Sequence, residues 1–229
     1  MIPETKAELA KYIDHTFLSA TATEPDVRQI CDEAVKYGFW SVCVLPRWIP
    51  LAADILHGKG VKVDGVAGFP FGSDSTKIKA AQAEDVIMAG ADEVDMVADL
   101  ASIVEGNRKY FTGELKAVLK VCRSMRPVVT MKVIIESAAL TRQQKIFACQ
   151  VAQDVGVDFI KTSTGLNPAG GATVEDVKLM VETAPKCKIK AAGGIRTAQQ
   201  ALDMIAAGAS RIGASASVQI IEEFREGAS

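Results

Sequence analysis

Short β-branched runs alternate with helical stretches of roughly ten to fifteen residues along the whole of this chain. That rhythm marks repeated βα units, in which each strand joins the next in parallel through a helical crossover. Eight runs can be read, at residues 12–14, 41–44, 61–67, 93–97, 128–135, 159–161, 188–191 and 211–213. Helices between them open on Thr23, Ser75, Thr141, Thr173 and Thr197, residues whose hydroxyls cap free backbone N–H groups. Several end in glycine, at Gly38, Gly90, Gly156 and Gly208. Residues 1–11 read as a short amphipathic N-terminal helix. Eight units in 229 residues fit a single α/β domain, a closed (β/α)8 TIM barrel over residues 1–229, better than an open doubly wound sheet. No G-x-G-x-x-G turn follows the first run, as a dinucleotide-binding sheet would require.

Charge and composition narrow the partners. A net charge of -2 without any Lys/Arg run excludes a nucleic-acid or anionic-membrane partner, since both demand a basic patch. Charges interrupt every apolar stretch within about ten residues, well short of the roughly 20 that span a bilayer. The first residues lack the apolar centre of a signal peptide, so a cytoplasmic protein is expected. The five cysteines are an odd number, widely separated and mostly set among apolar neighbours, as expected of buried thiols in a reducing compartment. With only His15 and His57 as histidines, no metal site is expected.

Three lysines stand inside apolar runs: Lys132, Lys161 and Lys190. Lysine is almost never fully buried without a partner. Desolvation and a neighbouring positive charge favour its neutral form, which is a nucleophile toward carbonyl carbon. Barrels of this kind gather reactive groups at the C-terminal strand ends. Lys161 ends the sixth run and is followed by Thr162-Ser163-Thr164-Gly165, which places it at the mouth. The alternative is a lysine that snorkels into solvent. Lys190 lies in the next strand, about 4.8 Å away, within range of a charge interaction. Lys132 could join the cluster or make a plain ion pair with Glu136 or Asp95. Alternation puts Glu93 and Asp95 on one side of the fourth strand, where Asp95 can pass protons or simply pair with the lysines. Asp14 is a weaker case, with a helix cap or a salt bridge as the alternative. Gly193 and Gly194 after the seventh strand, and Gly213 and Ser215 after the eighth, are suited to hold a phosphate with backbone N–H groups.

Seven segments in this order resemble the deoxyribose-phosphate aldolase family: Asp14-His15-Thr16, Val42-Cys43-Val44, the run 66–72, the run 93–97, Lys132 to Glu136, Lys161-Thr162-Ser163-Thr164-Gly165 and the run 190–196. The resemblance implies a class I aldolase that splits 2-deoxy-D-ribose 5-phosphate reversibly into acetaldehyde and D-glyceraldehyde 3-phosphate, without metal or other cofactor. It makes Lys161 the Schiff-base lysine, Lys190 the second lysine and Asp95 the acid that relays protons. The imine then draws in the electrons of a breaking bond expected between C3 and C4. Thr164, Gly165, Cys43 and Asp14 are expected beside the sugar, and a homodimer is expected. Two departures stand out. Leu166 and Ala216 occupy positions where some members have lysine and serine, and the last tyrosine is Tyr110, so no tyrosine closes the C-terminal tail. Other readings are a transaldolase-like Schiff-base barrel and a phosphosugar-binding barrel without catalysis.

Overall fold

The computed structural model describes residues 2–227, so Met1, Ala228 and Ser229 lie outside the described residues. Its eight strands are β1 (Ile13–Phe17), β2 (Ser41–Val44), β3 (Lys62–Ala67), β4 (Glu93–Val97), β5 (Thr130–Ile134), β6 (Phe159–Lys161), β7 (Lys188–Ala192) and β8 (Arg211–Ala214). Each pairs in parallel with the next and β8 returns to β1, closing the barrel. The helices are α1 (Lys6–Ala10), α2 (Glu24–Tyr37), α3 (Ile49–Leu56), α4 (Thr76–Met88), α5 (Leu100–Val104), α6 (Arg108–Ser124), α7 (Arg142–Val155), α8 (Val174–Thr183), α9 (Ala198–Ala206) and α10 (Ser217–Glu223).

The N-cap positions lie where the sequence placed them, although the Ser75 hydroxyl makes no capping hydrogen bond. Thr23, Ser75, Thr141, Thr173 and Thr197 are the N-caps of α2, α4, α7, α8 and α9. Thr141 and Thr197 form reciprocal boxes with Gln144 and Gln200, which satisfies backbone N–H groups at both helix starts. Gly38 and Gly156 close α2 and α7 in the left-handed conformation. The strand ends differ slightly from expectation. β1 runs on through His15, Thr16 and Phe17, where polar residues interrupt the apolar pattern, and β5 begins at Thr130. The short helix α5 carries no periodic signal and is set by its cap, Asp99 accepting from the Ser102 N–H at 2.7 Å.

Alternation divides every strand between two environments. Outward residues such as Val42, Val63, Val94, Val133, Ile160, Ile189 and Ile212 are buried under the helices and form the main hydrophobic core. Inward residues build three layers of four from alternate strands, the packing expected of a barrel centre. From the N-terminal side these are Ser41, Glu93, Phe159 and Arg211, then Asp14, Asp64, Lys132 and Lys190, then Cys43, Asp95, Lys161 and Gly213. Ordinarily branched apolar side chains fill such layers, whereas here eight of the twelve positions are charged.

The turn after β3 shows how tightly the mouth is built. Gly72 has φ +68, and a Cβ there would lie 2.0 Å from the carbonyl oxygen of Ala98. Gly60 has a similar φ of +73 but nothing within 4 Å. Gly60→Ala should therefore cost about 1–2 kcal/mol through backbone conformation alone. Gly72→Ala should cost several kcal/mol more or prevent folding, as read by urea denaturation of the two variants.

Candidate active site

Lys161 ends β6 and its side chain reaches the floor of a cavity of about 310 Å³ at the C-terminal mouth. Thr164, Gly165, Gly193, Gly194, Gly213 and Ser215 line that cavity, as expected of substrate-binding residues. Leu166 and Arg196 line it as well. Cys43 and Asp14, expected beside the sugar, are fully buried below and do not line it. Position in the barrel explains this: Asp14 belongs to the middle layer, and Cys43 lies under the mouth on β2. A separate hollow of about 360 Å³ lies outside the barrel between α2 and α10, around His15 and Glu33, and none of the three strand lysines lines it.

Beneath the cavity the charged side chains interlock. Lys161 Nζ donates to Asp95 Oδ2 at 2.7 Å, and Lys190 Nζ donates to the same oxygen at 2.8 Å. Lys132 Nζ donates to Asp95 Oδ1 at 2.8 Å. Asp95 thus receives all three strand lysines. Lys190 also meets Asp14 at 2.5 Å and Asp64 at 3.0 Å, while Lys132 meets Asp64 at 3.0 Å and Glu93 at 2.7 Å. Arg211 closes the lower end, pairing with Asp14 at 2.8 Å and Glu93 at 3.1 Å. Its guanidinium lies against the rings of Trp40 and Phe159, at 4.5 and 5.2 Å from their centroids. Among the described residues the cluster balances the carboxylates of Asp14, Asp64, Glu93 and Asp95 with Lys132, Lys161, Lys190 and Arg211.

That balance fixes protonation. Burial opposes the ammonium of Lys190, but Asp14, Asp64 and Asp95 outweigh it and hold the group well above the ordinary lysine range. Lys132 is raised in the same way, with burial overcome by Asp64, Asp95 and Glu93. Burial would raise Asp95, yet Lys132, Lys161 and Lys190 hold it well below the usual carboxylate range. Asp64 goes the other way: burial and the charge of Asp95 push it up to about 6 despite Lys132 and Lys190. Cys43 sits in the same interior, and burial raises its thiol well above normal.

Two sets of side chains, Asp14 with Asp64 and Glu93, and Cys43 with Asp64 and Asp95, are close enough to share a metal ion. Lys132, Lys190 and Arg211 already bond those carboxylates, so a metal would have to displace buried cations. The donor set is therefore a poor fit for a metal.

Glycine and a strained glutamate position the upper layer. A Cβ on Gly213 would come within 3.1 Å of Lys190 Cε, so the missing side chain leaves room for the lysine stem. Glu136 lies two residues beyond the end of β5 with φ 52, an uncommon conformation outside glycine. Its buried carboxylate accepts from the Thr164 N–H at 3.1 and 3.3 Å, tying down the loop that leaves Lys161. From the sequence Glu136 stands out as a partner for Lys132 and as the end of a resembling segment, whereas the parts of Asp64 and Arg211 emerge only in the fold. A signal for Asp64 existed, since it is the lone acid in the apolar run 61–67 at an inward-facing position.

The family description DeoC/LacD family aldolase matches residues 8–223. A deoxyribose-phosphate aldolase from Caldicellulosiruptor saccharolyticus is 48% identical over 220 residues, covering 96% of this chain and 99% of the relative. One from Thermococcus gammatolerans is also 48% identical, over 95% of this chain and 97% of the relative. A solved structure described as the unique tetrameric structure of deoxyribose phosphate aldolase from Aeropyrum pernix superposes with a TM-score of 0.88 at 31% identity, covering 95% of this chain and 91% of that one. The chain is an α/β-barrel enzyme of the aldolase class. Within that class it belongs to the DeoC/LacD aldolase family.

Lys132→Met should test the interlocked layer. It strips one cation from Asp64, Glu93 and Asp95 at once, and should destabilise the fold by about 3–5 kcal/mol near neutral pH. Those acids then gain folded pKa values above the wild-type ones, so protonation relieves the loss. The gap between variant and wild type in urea denaturation should therefore narrow as pH falls from about 7.5 to about 5. A gap that widens on acidification would contradict the charge account.

Proposed function

We propose that this enzyme cleaves 2-deoxy-D-ribose 5-phosphate reversibly into acetaldehyde and D-glyceraldehyde 3-phosphate, with Lys161 forming the imine. The observation that carries the assignment of Lys161 is its place: it is the one strand lysine that lines the mouth cavity, and it is bonded below to Asp95. Lys132 and Lys190 are fully buried and locked as cations by several carboxylates each, so they supply charge and do not attack.

In the cleavage direction the amine of Lys161 adds to the C1 aldehyde. Asp95 takes up and returns protons as the carbinolamine loses water, and Lys190 keeps Asp95 aligned through their shared oxygen. The protonated imine is the electron sink for carbon–carbon cleavage. Carbon count corrects the expected bond: acetaldehyde takes C1 and C2, so the bond between C2 and C3 breaks, and not the one between C3 and C4. The C3 hydroxyl loses its proton as glyceraldehyde 3-phosphate departs. Protonation of the enamine at C2 and hydrolysis of the imine then free acetaldehyde and Lys161.

The phosphate fits the upper edge of the cavity, against Gly193, Gly194 and Ser215. Arg196, on the same wall, adds a positive charge, while Leu166 offers none. The imine supplies the electron sink, so the reading calls for no metal or organic cofactor. A cytoplasmic homo-oligomer completes it. Support for assembly comes from the tetramer described for the Aeropyrum pernix relative, against the dimer expected from sequence. Location is supported by five unpaired cysteines and by the lack, among the described residues, of a helix long and apolar enough to cross a membrane.

Three measurements test this function. A coupled assay should show condensation with acetaldehyde as donor and none with dihydroxyacetone phosphate, and the reverse preference would point to a transaldolase-like enzyme. Lys161→Ala should lose at least about 10³-fold in kcat with unchanged circular dichroism. Lys190→Met should move the acid limb of the pH–rate profile to higher pH, because the cation beside the nucleophile is gone. An unmoved limb would remove Lys190 from the mechanism.

A further inference from the structure

The buried layer poses a charge problem when Lys161 turns into a free amine. With Lys161 protonated, four carboxylates face four cations. Losing that proton to solvent would leave an uncompensated negative charge in the barrel centre, which is costly. A carboxyl group inside the layer that accepts the proton would keep the sum at zero.

The four acids differ in how fully they are bonded. Asp95 receives Lys132, Lys161 and Lys190 over both oxygens. Asp14 receives Arg211 and the Ser41 hydroxyl on Oδ1, and its Oδ2, which like Asp64 Oδ1 has no hydrogen bond, is ion-paired with Lys190 at 2.5 Å. Glu93 receives Lys132, Arg211 and the Trp40 N–H over both oxygens. Among the described residues Asp64 receives only Lys132 and Lys190, each at 3.0 Å and both on Oδ2, and its buried Oδ1 has no hydrogen-bond partner. A continuous chain joins it to the nucleophile: Lys161 to Asp95 Oδ2 at 2.7 Å, Asp95 Oδ2 to Lys190 at 2.8 Å, and Lys190 to Asp64 Oδ2 at 3.0 Å.

We propose that Asp64 is a positioning residue for Lys161, the carboxyl group that holds the proton the lysine gives up, so that the amine forms without changing the charge of the barrel centre. The inference rests on the assignment of Lys161 as the nucleophile. Three hops balance the transfer: Lys161 gives a proton to Asp95, Lys190 gives one to Asp64, and the proton on Asp95 passes to Lys190. One N–H bond breaks on Lys161, one O–H bond forms on Asp64, and Asp95 and Lys190 end as they began. The groups that face Asp64 are Asp14 from β1, Cys43 from β2, Glu93 and Asp95 from β4, Lys132 from β5, Lys161 beyond Asp95 on β6, Lys190 from β7 and Arg211 from β8. Among the acids of this layer only Asp64 is pushed upward, whereas Asp14, Glu93 and Asp95 are lowered.

Infrared difference spectroscopy on the intact enzyme tests this. A carboxylic-acid carbonyl band should persist through the pH range of activity and be missing from Asp64→Asn. No such band in the wild type, or one that survives in Asp64→Asn, would overturn the proposal. Asp64→Asn should also move the acid limb of kcat/KM to lower pH by about one unit, a tenfold relative gain on the acid side. A merely structural aspartate would lower activity without moving the limb. If Asp64→Asn does not fold, Asp64→Ser and the wild-type spectrum still decide. Measuring cleavage of deoxyribose 5-phosphate by the wild type alongside separates the two failures, because the band does not depend on which sugar is cleaved.

Discussion

One carboxylate oxygen, Asp95 Oδ2, accepts a hydrogen bond from both Lys161 and Lys190, and the chemistry of the barrel follows from that contact. It couples Lys161, the proposed nucleophile whose side chain reaches the cavity, to a cation that cannot leave. Lys190 is held by three carboxylates on β1, β3 and β4, so its charge is a fixed part of the scaffold. In a low-dielectric interior such charges act on each other far more strongly than in water, which makes their mutual placement decisive. The register of the strands sets the placement. Lys161 pairs with Lys190 across β6 and β7, and Asp95 pairs with Lys132 across β4 and β5. A slip of one residue would turn every one of these side chains outward into the helix layer.

Burying so many charges is expensive, and the arrangement is tolerable only because nearly every group finds partners. The apolar core outside the barrel supplies the stability, with Val42, Val94, Val133, Ile160 and Ile212 packed under the helices. The division of labour is spatial: the outer faces of the strands hold the fold together, and the inner faces carry the electrostatics. Arg211 and Trp40 close the N-terminal end, which leaves the mouth beside Lys161 as the place where a substrate meets the charged layer.

Much of this was readable from the chain. Periodicity located all eight strands because βα units repeat, and five threonine or serine caps were visible because N-capping depends on local residue type. Lys161, Lys190 and Asp95 stood out because charged residues rarely interrupt apolar strands. What escaped was whatever depends on closure of the barrel. Asp64 lies far from Lys190 in sequence, and only the circular arrangement of strands brings β3 against β7 across the interior. Arg211 starts a strand and looks solvent-bound until its aromatic neighbours Trp40 and Phe159 are in place. The burial of Cys43 and Asp14 away from the cavity depends on layer height, which strand tilt sets and local pattern does not reveal. Glu136 was visible as an acid after a strand, but its positive φ and its grip on Thr164 belong to the loop geometry.

The central claim is that Lys161 condenses with an aldehyde while Lys190, its charged neighbour, does not. Incubating the enzyme with acetaldehyde, reducing with borohydride and mapping the modified peptide by mass spectrometry tests it directly. The account predicts one ethyl group per chain, located on Lys161 and absent from Lys161→Ala. An adduct on Lys190 or Lys132, or no adduct in an enzyme that turns over its substrate, would contradict it.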